Sequence, residues 1–219
     1  LPRLQLASGQ TNLSFDGSND YVEVADNVSF DFSAFSIGLW VKPNSIPSSG
    51  SNHAQIISKR WLPSQNETES FGIEAREGEI GIYARNSNSS WARVQSGFDN
   101  FVGSWHYLVM TSNGSQIEFF YDGVSQGTAS ADLDPTNNNS NIVIAYGDNF
   151  FNGIIDEVAV WNDALTADEI TALYNTGSGI SASFNSGNYI SSADLKGYWM
   201  FNEGTGNTVS DISGNGNNG

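Results

Sequence analysis

Phe71-Gly72-Ile73-Glu74-Ala75-Arg76 and, after a two-residue gap, Glu79-Ile80-Gly81-Ile82-Tyr83-Ala84-Arg85 alternate between two kinds of side chain along their length. Period two is the spacing of residues on one side of a pleated strand, and β-branched and aromatic residues suit that pleat. The same pattern recurs at Leu13 to Val24, Phe35 to Val41, Gln55 to Ser58, Ala92 to Gln95, Trp105 to Thr111, Gln116 to Tyr121, Ile142 to Ala145 and Ile154 to Trp161. Between the runs lie Asp16-Gly17, Asn113-Gly114, Asp122-Gly123 and Asn152-Gly153, dipeptides that tolerate the positive φ of tight turns. Together they predict an all-β fold, an antiparallel β-sandwich of meander or jelly-roll type.

A single helix is expected at Thr166 to Tyr174. Thr166-Ala167-Asp168-Glu169 fits a capping box, Ile170, Leu173 and Tyr174 fall on one side, and Gly177 is the stop. Beyond it comes a stretch rich in Ser, Asn and Gly, then a strand-like Gly197 to Phe201, then the polar loop Asp211 to Gly219. Residues 1–178 read as one sandwich. Residues 179–219 either complete it as an edge strand or begin a truncated second copy, the second being the expectation.

The chain has 219 residues, a length that all-β sandwiches reach as one unit. Asp and Glu number 24 against 8 Lys and Arg, for a net charge of −16, so DNA, RNA and anionic membranes are repelled at long range. With 6 Trp, 8 Tyr and 13 Phe the chain nevertheless carries enough apolar material for a core. There is no cysteine, which excludes disulfides, thiolate metal sites and Cys nucleophiles. No apolar run approaches 18 residues, so no membrane insertion is expected. The opening Leu1-Pro2-Arg3 lacks the pattern of a secretory signal, and the chain reads as a piece of a larger multidomain protein.

Leu13-Ser14-Phe15-Asp16-Gly17-Ser18-Asn19-Asp20-Tyr21-Val22-Glu23-Val24 resembles the opening strand of laminin G-like jelly-roll domains of the concanavalin A-like lectin/glucanase superfamily. Phe35 to Pro43, Trp105 to Val109, Phe120 to Gly123 and Asn152 to Leu165 are similar to later strands of that family, in the family's order. Gly197 to Gly204 with Asp211 to Gly216 resembles the segment that commonly precedes the opening strand. The resemblance implies fold, whereas function has to be argued from a site, because this sandwich carries lectins, adhesion domains, hydrolases and lyases.

Two candidate sites stand out. Asp16, Asn19 and Asp20 gather side-chain oxygens over five residues, which suits Ca²⁺. Asp156 is the expected fourth ligand, and the resemblance implies a structural calcium for Asp16, Asp20 and Asp156. The other reading makes Asp16-Gly17 a plain turn signal and Asp156 a hydrogen-bonding group.

The second site follows from the scarce positive charge. Lys59, Arg60, Arg76, Arg85 and Arg93 fall within 35 positions. With Ile73, Ala75, Ile80, Ile82, Ala84, Ala92 and Val94 inward, Glu74, Arg76, Tyr83, Arg85, Trp91 and Arg93 turn outward on one sheet face. Aromatic rings suit the apolar side of a sugar, and Arg forks suit uronate or sulfate. Arg60, Glu74, Arg76, Tyr83, Arg85, Trp91 and Arg93 are therefore the candidate ligand-binding residues, rimmed by Asn44 to Gln55 and by Trp61 to Ser70. The competing reading pairs these arginines with Glu74, Glu77 and Glu79 as surface ion pairs of ~0.2–1 kcal/mol each. Trp40, Trp105, Trp161 and Trp199 are expected in the core.

No catalytic residues are assigned. The Glu-x-Asp-x-x-Glu motif of retaining glycosidases on this fold, nucleophile elbows, P-loops and dinucleotide fingerprints are all missing from the sequence. The expected function is a noncatalytic carbohydrate-binding, lectin-like module of an extracellular or cell-surface protein. Its partner is a polysaccharide or glycan, with an anionic polysaccharide as the sharper version. The alternatives are an adhesion or spacer domain of a surface or appendage protein and, further off, a polysaccharide lyase or hydrolase.

Overall fold

The alternating runs form two antiparallel sheets laid face to face. The computed structural model describes residues 11–32, 34–48, 53–59, 71–86, 90–97, 101–133, 139–147 and 149–219. Its strands, in chain order, are β1 (Leu13–Asp16), β2 (Val22–Val24), β3 (Phe35–Pro43), β4 (His53–Lys59), β5 (Phe71–Arg76), β6 (Glu79–Arg85), β7 (Trp91–Gln95), β8 (His106–Ser112), β9 (Gln116–Tyr121), β10 (Val124–Ser130), β11 (Ile142–Ile144), β12 (Asn152–Trp161) and β13 (Leu195–Trp199). One sheet runs β1-β12-β3-β8-β9-β10, with β13 also paired to β12; the other runs β2-β11-β4-β5-β6-β7.

The β5–β6 hairpin turns through Glu77 (φ 55°) and Gly78 (φ 87°), and the β9–β10 hairpin through Asp122 (φ 49°) and Gly123 (φ 79°). Two successive positive φ values match the right-handed twist of the flanking strands. Asn152-Gly153, expected as a turn, instead opens β12, where Gly153 pairs with Phe15 and with Pro43. A Cβ there would lie 2.6 Å from the Phe151 ring and 2.7 Å from the Lys42 carbonyl oxygen, so close approach and not a turn sets this glycine. The expected run Leu13 to Val24 breaks into β1 and β2, which join different sheets.

Inward residues such as Phe15, Phe35, Leu39, Ile57, Ile73, Ile82, Met110, Phe119, Ile144 and Ile155 form the core between the sheets. A second apolar cluster lies on the outer side of the β12-containing sheet. There Trp40, Tyr107, Phe120 and Trp161 pack against Ile170, Leu173, Tyr189 and Tyr198. Ile170 and Leu173 come from α1 (Ala167–Tyr174), whose Thr166 forms the expected capping box with Glu169. The helix ends on Asn175 in the left-handed region (φ 45°), two residues before the expected glycine.

β12 has ten residues and shares one edge between two short partners: β1 takes Asn152 to Ile155, and β13 takes Val158 to Trp161. The segment after the helix thus lies within the sandwich. Trp199 is fully buried, and its indole N–H donates to the Asn217 carbonyl at 2.9 Å. Trp40 and Trp161 are buried as expected, and Trp105 is half-buried against the second cluster. Among the described residues no helix is long and apolar enough to cross a membrane.

Candidate functional site

The outer face of the β2-β11-β4-β5-β6-β7 sheet brings most of the basic and aromatic candidates together. Register sets Trp91 opposite Arg85, Arg93 opposite Tyr83, and Glu74 opposite Gln55 on one side and Gly81 on the other. The Trp91 and Tyr83 rings lie 5.7 Å apart. The Arg93 guanidinium carbon sits 4.7 Å from the Trp91 ring centre and that of Arg85 5.8 Å, both within cation–π range. Arg93 Nε donates to Glu74 Oε1 at 3.2 Å, while its terminal nitrogens make no hydrogen bond among the described residues. Trp91 keeps 44 % of its surface exposed.

Two candidates differ from expectation. Glu74 and Tyr83 do point away from the core, but only 4 % and 1 % of their surface is exposed. Alternation fixes the side of the sheet a residue takes, whereas exposure depends on what lies over that side, which is tertiary. Glu74 therefore acts beneath the surface, holding Arg93. Arg76 pairs weakly with its neighbour Glu77 at 3.5 Å, one of the surface ion pairs of the competing reading. Arg60, Trp61 and the expected rim segment Trp61 to Ser70 lie outside the described residues, as do residues 49–52 of the other rim.

Lys59 departs from the basic face. Its side chain is fully buried, and its ammonium meets Asp26 Oδ1 at 2.5 Å. Gln55, beside Glu74, was not a candidate: it is 1 % exposed, and its Oε1 has no hydrogen-bond partner among the described residues. The Gly147 backbone lies so close over it that a Cβ would fall 2.0 Å from Gln55 Cγ. The polar residue next to Glu74 in the register is the only signal in the sequence that would have found it.

The four expected calcium ligands do not converge. Asp16 pairs with Asn152, so Asp156 lies four residues farther along β12, about 13 Å away at the rise of a strand. Within the turn, Asp16 accepts from the Ser18 amide at 2.8 Å, and Asp20 accepts from the Asp16 amide at 3.2 Å. Asp16, Asn19 and Asp20 are all exposed, and no group of three or more His, Cys, Asp or Glu suited to a metal occurs among the described residues. A calcium ion shared by all four does not fit this arrangement.

Asp156 belongs to a different cluster. The register of β12 against β3 shifts between Asp156 and Ala159, a bulge in which Glu157 takes φ 53°. Asp156 Oδ1 accepts from the Glu157 amide at 3.0 Å, and Oδ2 has no partner among the described residues. Burial raises the Asp156 carboxyl to about 7, and burial together with Asp156 raises that of Glu157 to about 8. The Tyr198 hydroxyl donates to Glu157.

Residues 16–171 match the laminin G-type family model of the concanavalin A-like lectin/glucanases superfamily. The chain belongs to this superfamily. No curated protein sequence matches it. Among solved structures, this superfamily domain is similar to a carbohydrate-binding candidate from Bacteroides ovatus, with TM-score 0.68, 15% identity, and 96% of this chain and 58% of that one covered. The domain thus spans little more than half the length of that protein. Domain 4 of an extracellular arabinanase from Geobacillus stearothermophilus, in complex with arabinotriose, aligns with TM-score 0.57 and 18% identity over 78% of this chain and 84% of that one. A heptameric pentraxin from Limulus polyphemus aligns at 0.58 and 16% over 85% and 89%. At these identities the likeness to the three structures is one of fold.

Proposed function

We propose that this superfamily domain is a noncatalytic glycan-binding module whose site is the outer face around Trp91, Arg85 and Arg93, and that it takes an acidic polysaccharide outside the cell or on its surface. The observation that carries the reading is the Glu74–Arg93–Trp91 arrangement. A buried carboxylate accepts from the guanidinium Nε, the indole lies 4.7 Å from the guanidinium carbon, and the two terminal nitrogens make no hydrogen bond among the described residues. A guanidinium held this way meets a carboxylate or sulfate in two parallel hydrogen bonds with little ordering still to be lost. The exposed indole supplies an apolar surface for the sugar ring. The carbohydrate-binding descriptions of the Bacteroides and Geobacillus neighbours support the class of ligand.

The burial of Glu74 and Tyr83 favours a second reading, a spacer or adhesion domain in which these side chains are only structural. Isothermal titration with hexagalacturonate separates the two. Binding by the wild type that weakens at least tenfold, about 1.4 kcal/mol, in Trp91→Ala with an unchanged melting temperature supports the glycan site. Absent binding in both proteins favours the spacer, and equal binding in both removes the Trp91 face as the glycan site.

A further inference from the structure

A groove of about 630 Å³ lies between the opening turn and the loop that follows β13. Asp20, Tyr21 and Glu23 form one wall; Glu203, Thr205 and Asn207 form the other. Its volume is that of a small-ligand site. We infer that this groove is a second saccharide site, selective for uncharged chains; the inference rests on the glycan-binding reading of the domain but not on the Trp91 face.

The lining chemistry carries the argument. Each carboxylate is anchored through one oxygen: Asp20 Oδ2 accepts from the Asp16 amide, Glu23 Oε1 from the Asn141 side-chain amide at 2.5 Å, and Glu203 Oε1 from the Ser210 amide at 2.8 Å. The second oxygen of each makes no hydrogen bond among the described residues. Asn207 and Thr205 are exposed and add donors. Fixed acceptors facing donors match hydroxyl groups, each of which both donates and accepts. A metal ion would need the carboxylates gathered together, and they are not. Among the described residues that line the groove there is no Lys or Arg, so a uronate or sulfate would enter against three carboxylates.

The apolar side of a sugar also has a partner. Tyr21 is 49 % exposed, with its ring 5.5 Å from Tyr146, which in turn stacks on Phe150 at 4.4 Å. This row of rings holds Tyr21 in place at the groove's rim, which lowers the ordering cost of binding. The groove spans the chain: Thr11 Oγ1 donates to the Phe201 carbonyl at 2.8 Å, and the Thr11 amide donates to Asn202 Oδ1 at 2.9 Å.

The test is titration of the wild type, Tyr21→Ala, Thr205→Trp and Trp91→Ala with five uncharged hexaoses (gluco-, xylo-, manno-, galacto- and arabino-) and with hexagalacturonate. Thr205 is exposed, so a tryptophan there fills the groove without entering the core. The expected result is that at least one uncharged hexaose binds, that both groove variants weaken it tenfold or more, and that Trp91→Ala leaves it unchanged. No uncharged hexaose bound, or binding that survives both groove variants, overturns the inference. Hexagalacturonate lost in Trp91→Ala with no uncharged hexaose bound removes the groove and keeps the sheet face. The opposite pattern does the reverse.

Discussion

Raising the pH should weaken this domain in a window where few other carboxylates titrate, because Asp156 and Glu157 are held as neutral acids in the fold. Burial moves Asp156 from 3.8 to about 7, and burial plus the neighbouring Asp156 moves Glu157 from 4.5 to about 8. The folded state therefore keeps protons that the unfolded chain has already released. Stability is fullest below the unfolded values and is lost as pH rises through the folded ones. At about 1.4 kcal/mol per pH unit, ionising Asp156 alone costs the fold on the order of 4 kcal/mol between pH 4 and pH 8. Exposed carboxylates have finished titrating by pH 5.5, so urea unfolding at pH 5.5 and pH 8.5 isolates about half of the Asp156 effect, roughly 2 kcal/mol. The replacement Asp156→Asn keeps the shape of the neutral acid and removes the charge. It should already exceed the wild type by about 2 kcal/mol at pH 5.5 and by about 4 kcal/mol at pH 8.5, the gap widening as pH rises. A wild-type midpoint that is flat or rises over this interval, or an Asn variant with the same slope as the wild type, would refute the reasoning.

Two further outcomes follow from packing. Gly147→Ala drives a methyl group into Gln55 and should cost about 1–3 kcal/mol in urea unfolding. Trp199→Ala empties a fully buried site in β13 and should cost about 3–5 kcal/mol, with a cooperative transition retained; a change below 1 kcal/mol would mean that residues 195–199 do not belong to the sandwich in solution.

The two sheets were legible because period two records the side of a strand directly. Phe71 to Arg76 and Glu79 to Arg85 keep their expected bounds in the structure. β10 (Val124–Ser130) escaped notice because Val-Ser-Gln-Gly-Thr-Ala-Ser has no buried position, as befits an edge strand partnered on one side only. At the candidate site, alternation alone put Trp91, Arg85 and Arg93 on one face. It could not reveal that Glu74 and Tyr83 are covered there, nor that Asp156 sits four register positions from Asp16. The groove was not legible at all: its walls come from residues some 180 positions apart, brought together by the Thr11 contacts with Phe201 and Asn202 and by the packing of Gly219 against Val22.

The divided edge of β12 also orders the events of folding. β13 reaches β12 across roughly 40 residues, and β1 reaches it across roughly 140. The entropy of closing a loop grows with the logarithm of its length, so the longer closure costs about 1 kcal/mol more before any contact is made. The half of β12 that runs from Val158 to Trp161 therefore gains its partner first. The opening strand, although made first by the ribosome, is among the last pieces to lie down, and the wall of the groove carrying Asp20 and Tyr21 forms only when it does.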